Sequence, residues 1–210
     1  MIPRFPVYLF DVDGTLVDSA PDICGAIRAV LANTPHADCE EEFLRGYIGR
    51  HLVDLFQDLF PTHTPEQIDE LIRTYRAIYP ARGHKCTRLF PGVLEGISAL
   101  PGKKATATTK GTPTARTVLE LFGLLPYFDH VQGTDGFPAK PAPDVIFKCL
   151  EVLGASPEDC LLVGDSAADM EAGKRAGIHT CAVRYGYGKP EDLAHWEPDF
   201  WISDLRELLS

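Results

Sequence analysis

The amino-acid sequence predicts an α/β protein: a Rossmann-like parallel sheet with helices on both faces, interrupted by an inserted all-helical unit. Three observations predict it. A short apolar run, Val7-Tyr8-Leu9-Phe10, breaks sharply at Asp11, the pattern of a buried strand that ends in a polar loop. From about residue 18 to 87 the apolar residues recur at helical spacing, with no clear strand. From residue 88 onward, short apolar runs alternate with amphipathic segments, which implies strands joined by helical crossovers. The lone early strand belongs with the later alternation. The chain therefore divides into an α/β core of residues 1–17 and 88–210 and a helical cap of residues 18–87.

Each element has a local reason. Ser19-Ala20-Pro21-Asp22 reads as a capped helix start, followed by Ile23, Ile27, Val30 and Leu31 on one face. Further helices are expected over Phe43–Ile48 and Leu52–Phe60. Thr64-Pro65-Glu66-Gln67 offers a capping box with proline at the first helical position, and Ile68, Leu71, Ile72, Tyr75 and Tyr79 continue its apolar face. Beyond Phe90-Pro91-Gly92, a helix over 92–99 leads to a strand at Ala105–Thr108. Thr112-Pro113 starts the next helix, which turns Ala115, Val118, Leu119 and Phe122 inward and stops at Gly123. A strand near Val131 and a helix over 143–153 follow. Ser156-Pro157 opens a short turn before Leu161-Leu162-Val163, the strongest strand signal. A helix from Ala167 to Ala176 ends at Gly177, and Ile178–Val183 reads as another strand.

Composition narrows the function. Acidic residues outnumber basic ones by 30 to 20 over 210 residues, which argues against nonspecific nucleic-acid or anionic-membrane binding. An apolar fraction of 45% and a charged fraction of 24% describe a globular chain rather than a disordered one. No apolar run approaches the ~20 residues of a membrane-spanning helix, and the first residues lack the pattern of a signal peptide, so the expected location is cytoplasmic. The six cysteines (24, 39, 86, 149, 160 and 181) are scattered without a C-x-x-C pair and read as free thiols. The seven histidines form no metal-binding pattern.

In open parallel sheets, ligands bind beyond the carboxyl ends of the strands. Three expected strands end there in reactive residues: Asp11-Val12-Asp13-Gly14-Thr15, Thr108-Thr109-Lys110, and Gly164-Asp165-Ser166 with Asp169 close behind. Lys140, in Ala139-Lys140-Pro141, can reach the same edge. Taken singly, Asp13-Gly14 is a turn pair, Thr108 a strand end, Lys140 a solvated cation and Asp169 an acid favoured at a helix start. Converging on one rim, four carboxylates and a lysine are costly unless a divalent cation neutralises them, and oxygen-only ligands favour magnesium. Arg50 and His51, in Gly49-Arg50-His51 at the start of a cap helix, can contact a substrate carboxylate or phosphate, but read first as a solvated face.

These residues, in this order, resemble the four motifs of the haloacid dehalogenase-like superfamily: Asp11-Val12-Asp13-Gly14-Thr15, Thr108, Lys140 and Gly164-Asp165-x-x-x-Asp169. The insertion after the first motif resembles the helical-cap members, and Tyr185-Gly186-Tyr187-Gly188 resembles the phosphoglycolate phosphatase-like branch. The resemblance implies a magnesium-dependent phosphatase acting on a small phosphorylated metabolite, with 2-phosphoglycolate as the leading substrate. Asp11 is then the nucleophile that forms an aspartyl-phosphate, and Asp13 the general acid and base. Thr108, Thr109 and Lys140 bind the phosphoryl group. Asp11, the Asp13 backbone carbonyl and Asp165 hold the metal, with Asp169 beside it or bridging through water. A sugar phosphomutase shares these requirements. A 2-haloacid dehalogenase needs neither metal nor an acid at position 13, and a noncatalytic relative would have lost the motif residues. The resemblance leads one to expect asparagine after the motif threonine, where this chain has Thr109, and a longer segment than Leu100-Pro101-Gly102-Lys103-Lys104 before that strand. A monomer or homodimer fits, without a nucleic-acid or membrane partner.

Overall fold

A computed structural model describes residues 2–210. Six parallel strands form the main sheet: β1 (Val7–Phe10), β4 (Lys103–Ala107), β5 (His130–Gln132), β6 (Cys160–Gly164), β7 (His179–Val183) and β8 (Phe200–Ile202). Their spatial order is β5-β4-β1-β6-β7-β8, so the chain builds outward on one side of β1 and then crosses to the other. That reversal puts the switch point of the sheet between β1 and β6, where a crevice opens beyond the strand ends.

Alternation along the central strands explains the two covered faces. Tyr8 and Phe10 of β1, with Leu161 and Val163 of β6, enter one apolar cluster beneath α5 (Val93–Ala99) and α6 (Thr112–Leu121). Val7 and Leu9, with Cys160 and Leu162, enter the other beneath α7 (Asp144–Leu153) and α8 (Ala167–Ala176). Both faces of β1 are buried, which is why its sequence is a continuous apolar run rather than an alternation. Burying one such large side chain contributes roughly 1.5–3 kcal/mol.

Between the first strand and the rest of the sheet lie four helices: α1 (Ala20–Leu31), α2 (Glu41–Arg45), α3 (Leu52–Leu59) and α4 (Pro65–Ala81). They bury their own cluster, with Ile27, Leu31, Leu44, Leu55, Phe56 and Ile68 at its centre. The capping box at Thr64 and Gln67 forms as its sequence implies. The helix expected over Phe43–Ile48 starts two residues earlier, at Glu41, and ends at Arg45 with Gly46 as its cap. Two strands too short to show a period, β2 (Val17–Asp18) and β3 (Arg88–Leu89), pair antiparallel and tie together the two chain segments that enter and leave the helices. The C-terminal α9 (Pro190–Ala194) and β8 were not expected from the sequence; β8 completes the sheet edge beside β7. Among the described residues, no helix is long and apolar enough to cross a membrane.

Candidate active site

Strand register gathers the acidic residues. Phe10 pairs with Val163 on one side and Thr106 on the other, so Asp11, Thr108 and Asp165 emerge at one edge of the sheet. The Asp11 amide still donates to the Val163 carbonyl at 3.0 Å, which fixes the first residue of the loop to the sheet. Gly14 then turns the chain with φ of +92°, and a side chain there would run into the Asp165 carboxylate. Thr15 Oγ donates to Asp165 Oδ1 at 3.0 Å, and the Tyr187 amide donates to Asp165 Oδ2 at 2.8 Å.

Lys140 lies at the centre of this rim. Its ammonium donates to Asp11 Oδ1 at 2.8 Å and to Asp169 Oδ1, with the side chain 1% exposed. Asp169 Oδ2 accepts from the amide and hydroxyl of Ser166, at 2.9 and 2.6 Å. Both oxygens of Asp169 are therefore engaged: this carboxylate closes the capping box of α8 and steers Lys140. Asp11, Asp165 and Asp169 each offer an oxygen within 4.8 Å of the others, all three buried. Burial pushes the Asp11 carboxyl up to about 6; Lys140 pulls it down, and Asp169 and Asp13 push with burial. Asp165 is raised well above the usual carboxylate range, by burial first and then by Asp11 and Asp169. Lys140 is held above its ordinary value: burial opposes its charge, but Asp11 and Asp169 outweigh burial. Two buried carboxylates this reluctant to ionise, Asp11 and Asp165, in a cluster that offers only oxygen donors, fit a hard divalent cation such as magnesium.

Asp13 is held differently. Its Oδ1 accepts from Ser19 Oγ at 2.6 Å, and its Oδ2 pairs with Lys110 Nζ at 2.9 Å. Lys110 also donates to the Tyr79 hydroxyl at 2.9 Å, with its ammonium 4.5 Å from that ring's centre. The lysine thus bridges the sheet edge and helix α4. Asp13, Thr109 and Lys110 line one side of a cavity of about 580 Å³, and Tyr75, Arg76 and Tyr79 line its helical side. Arg50, exposed, and His51, half-buried, also line it, where both solvent and a bound molecule can reach them. The turn before α3 places them there: His51 Nδ1 accepts from the Val53 amide, and the Arg50 guanidinium lies 5.0 Å from the Tyr47 ring centre.

The sequence-derived residues Asp11, Asp13, Thr108, Lys140, Asp165 and Asp169 are buried at this rim, and Thr109 is half-buried on the cavity wall. Thr108 Oγ accepts from the Lys110 amide at 3.3 Å, which shapes the loop between them. Sequence reasoning gave no site role to Lys110, Ser19, Thr15 or Tyr187. Lys110 stands in the motif string itself, and Ser19 reads in sequence as a helix cap. Its side chain makes no cap bond because it is turned onto Asp13.

A carboxylate-rich crevice at the switch point of a Rossmann-like sheet, roofed by helices that enclose a cavity, defines an enzyme that works on a substrate held between sheet edge and helices. Comparison with known families makes the class specific: the model described as haloacid dehalogenase-like hydrolase matches residues 8–183, and the chain belongs to that family. It is 35% identical over 204 residues to a phosphoglycolate phosphatase of Aquifex aeolicus, covering 97% of this chain and 94% of that protein. It is 34% identical over 206 residues to the pyrophosphatase PpaX of Anoxybacillus flavithermus, covering 96% and 94%. Among solved structures, a haloacid dehalogenase-like family hydrolase from Streptococcus pneumoniae superimposes with a TM-score of 0.88 at 29% identity, covering 98% of this chain and 97% of that one.

Proposed function

We propose that the protein is a magnesium-dependent phosphatase that hydrolyses a small phosphorylated metabolite through an aspartyl-phosphate on Asp11. The observation that carries this reading is the Asp11 carboxylate, held by Lys140 at the end of β1 beside Asp165, with Asp13 two residues away on the cavity wall. Relatives named phosphoglycolate phosphatase and pyrophosphatase support it, and 2-phosphoglycolate is the first substrate to test. The acidic balance supports a small-molecule substrate rather than a nucleic acid or a membrane, in a cytoplasmic monomer or homodimer.

An oxygen of Asp11 attacks phosphorus, and the ester P–O bond breaks. Asp13, facing the cavity that receives the leaving group, gives its proton to the departing alkoxide. Asp13 then takes a proton from a water molecule, which attacks the aspartyl-phosphate; inorganic phosphate leaves and Asp11 is restored. Thr108 and Thr109 donate to the phosphoryl oxygens, and Lys140 offsets their charge. Asp11, Asp165 and the Asp13 carbonyl would hold magnesium, with Asp169 orienting Lys140; the ion supplies positive charge against the phosphoryl oxygens. The helical unit of residues 18–87 acts as a cap, which shapes the cavity and excludes water.

The test is phosphate release from p-nitrophenyl phosphate, 2-phosphoglycolate and pyrophosphate, with magnesium and after chelation. Asp11→Asn is expected to lose about a thousandfold or more in kcat. No release from any of the three, or an Asp11→Asn variant that keeps its rate, overturns the reading.

A further inference from the structure

We propose that Tyr187 is a positioning residue for Asp13, acting through Ser19; the proposal rests on the phosphatase reading above. Tyr187 lies in the loop after β7, and its hydroxyl reaches the first segment leading into the helical cap. There it accepts from the Ser19 amide at 2.8 Å and from the Ala20 amide at 3.0 Å, and donates to Asp18 Oδ1 at 2.7 Å. One donor and two lone pairs are all used, so the phenol is fully committed to three consecutive residues.

The Tyr187 hydroxyl serves two amides at the start of α1 that a serine cap does not reach. A serine at the N-cap ordinarily turns its oxygen to the amide of the second or third helical residue. Ser19 instead donates its hydroxyl to Asp13 Oδ1 at 2.6 Å and makes no cap bond to α1. Ser19 and Ala20 are fully buried, so their amides need another acceptor, and the Tyr187 hydroxyl is that acceptor. Without it, two buried donors are orphaned, and the segment that carries the Ser19 hydroxyl must shift to find them another acceptor. That shift withdraws the hydroxyl that aims Asp13.

The loop is anchored well enough to act as a strut. The Tyr187 amide is bonded to Asp165, and the neighbouring Tyr185 hydroxyl donates to the Thr15 carbonyl at 2.9 Å. Gly186 and Gly188 allow the backbone to wrap Asp165 so closely that a side chain at either position would collide with that residue. From the cap side, the Arg45 guanidinium lies 5.3 Å from the centre of the Tyr187 ring. One residue therefore joins the Asp165 carboxylate, the cap and, through Ser19, Asp13.

The test compares wild type, Tyr187→Phe, Ser19→Ala and the double variant on two esters of similar size. Phenyl phosphate has a poor leaving group that needs protonation, and p-nitrophenyl phosphate a good one that does not. The ratio kcat/KM reports transfer to Asp11 and not the later attack of water. Misplacing the general acid is expected to cost about tenfold or more on phenyl phosphate and less than about threefold on p-nitrophenyl phosphate. The double variant is expected to lose no more than the worse single one, because the two residues act in series. Equal losses on both esters, or losses that multiply in the double variant, overturn the proposal. Hydrogen exchange gives a readout independent of turnover: the Ser19 and Ala20 amides should exchange at least about tenfold faster in Tyr187→Phe. Unchanged exchange overturns the strut. A wild type inactive on every ester overturns the phosphatase reading instead, and accelerated exchange in that protein still supports the strut.

Discussion

Replacing Lys140 by methionine removes the ammonium shared by Asp11 and Asp169 while keeping most of the side chain's volume. The three groups are almost wholly enclosed, so water cannot take over the lost interactions. Removing one partner of a buried ion pair costs about 3–5 kcal/mol when the remaining charge stays uncompensated. Here the cost depends on pH, because Asp11 can escape by binding a proton. Its carboxyl is raised from 3.8 to about 6, so the folded metal-free protein holds that proton more tightly than the unfolded chain does. The stability contributed by that proton is fully present below about pH 4 and is lost as pH rises through about 6. The span from 3.8 to about 6 corresponds to about 3 kcal/mol. Lys140→Met should therefore destabilise by about 3–5 kcal/mol near pH 8 and by only about 1–2 kcal/mol near pH 5, where lost hydrogen bonds remain the main cost. Urea unfolding in a chelating buffer at the two pH values measures both numbers. A cost below about 1 kcal/mol near pH 8, or the same cost at both pH values, refutes the reasoning.

Magnesium should raise the melting temperature of the wild type only where Asp11 can ionise. Its stabilisation, about 2.7 kcal/mol at a hundredfold excess over the dissociation constant, should fade as pH falls through about 6. A thermal shift of equal size near pH 5 and pH 8 would contradict this. Gly14→Ala should lose magnesium-dependent stabilisation and at least about 2 kcal/mol of stability, since it combines a positive φ with a side chain aimed at Asp165; denaturant unfolding with and without magnesium checks both.

Elements with a strong period or a capping signature were legible in the sequence. The α4 helix starts at its Thr64 capping box, and β6 stands where Leu161-Leu162-Val163 predicts it. Elements of two or three residues were not: β2, β3 and β8 have no measurable period, and pairing with a distant segment is what makes them strands. The same division runs through the site. Asp11, Asp13, Lys140 and Asp165 were visible because motif and strand-end position mark them. Ser19 was misread because a serine before a helix is usually a cap, and the Asp13 carboxylate that competes for its hydroxyl cannot be seen from local sequence. Arg50 and His51 allow either a ligand contact or a solvated face by local sequence, and only the fold sets them on the cavity wall.

By itself, the sequence determined the order of the longer strands and helices, the strand ends at which the reactive residues stand, and the clustering of carboxylates that points to a cation. These follow from hydrophobic period, turn chemistry and charge, which are properties of neighbours along the chain. Only the tertiary structure decided which oxygen meets which donor. It gave both oxygens of Asp169 to Lys140 and Ser166, set Lys110 between Asp13 and Tyr79, and turned Tyr187 onto the start of α1. Those contacts join residues as much as 168 positions apart. They exist because buried polar groups must find partners in three dimensions, and the fold alone sets which ones are within reach.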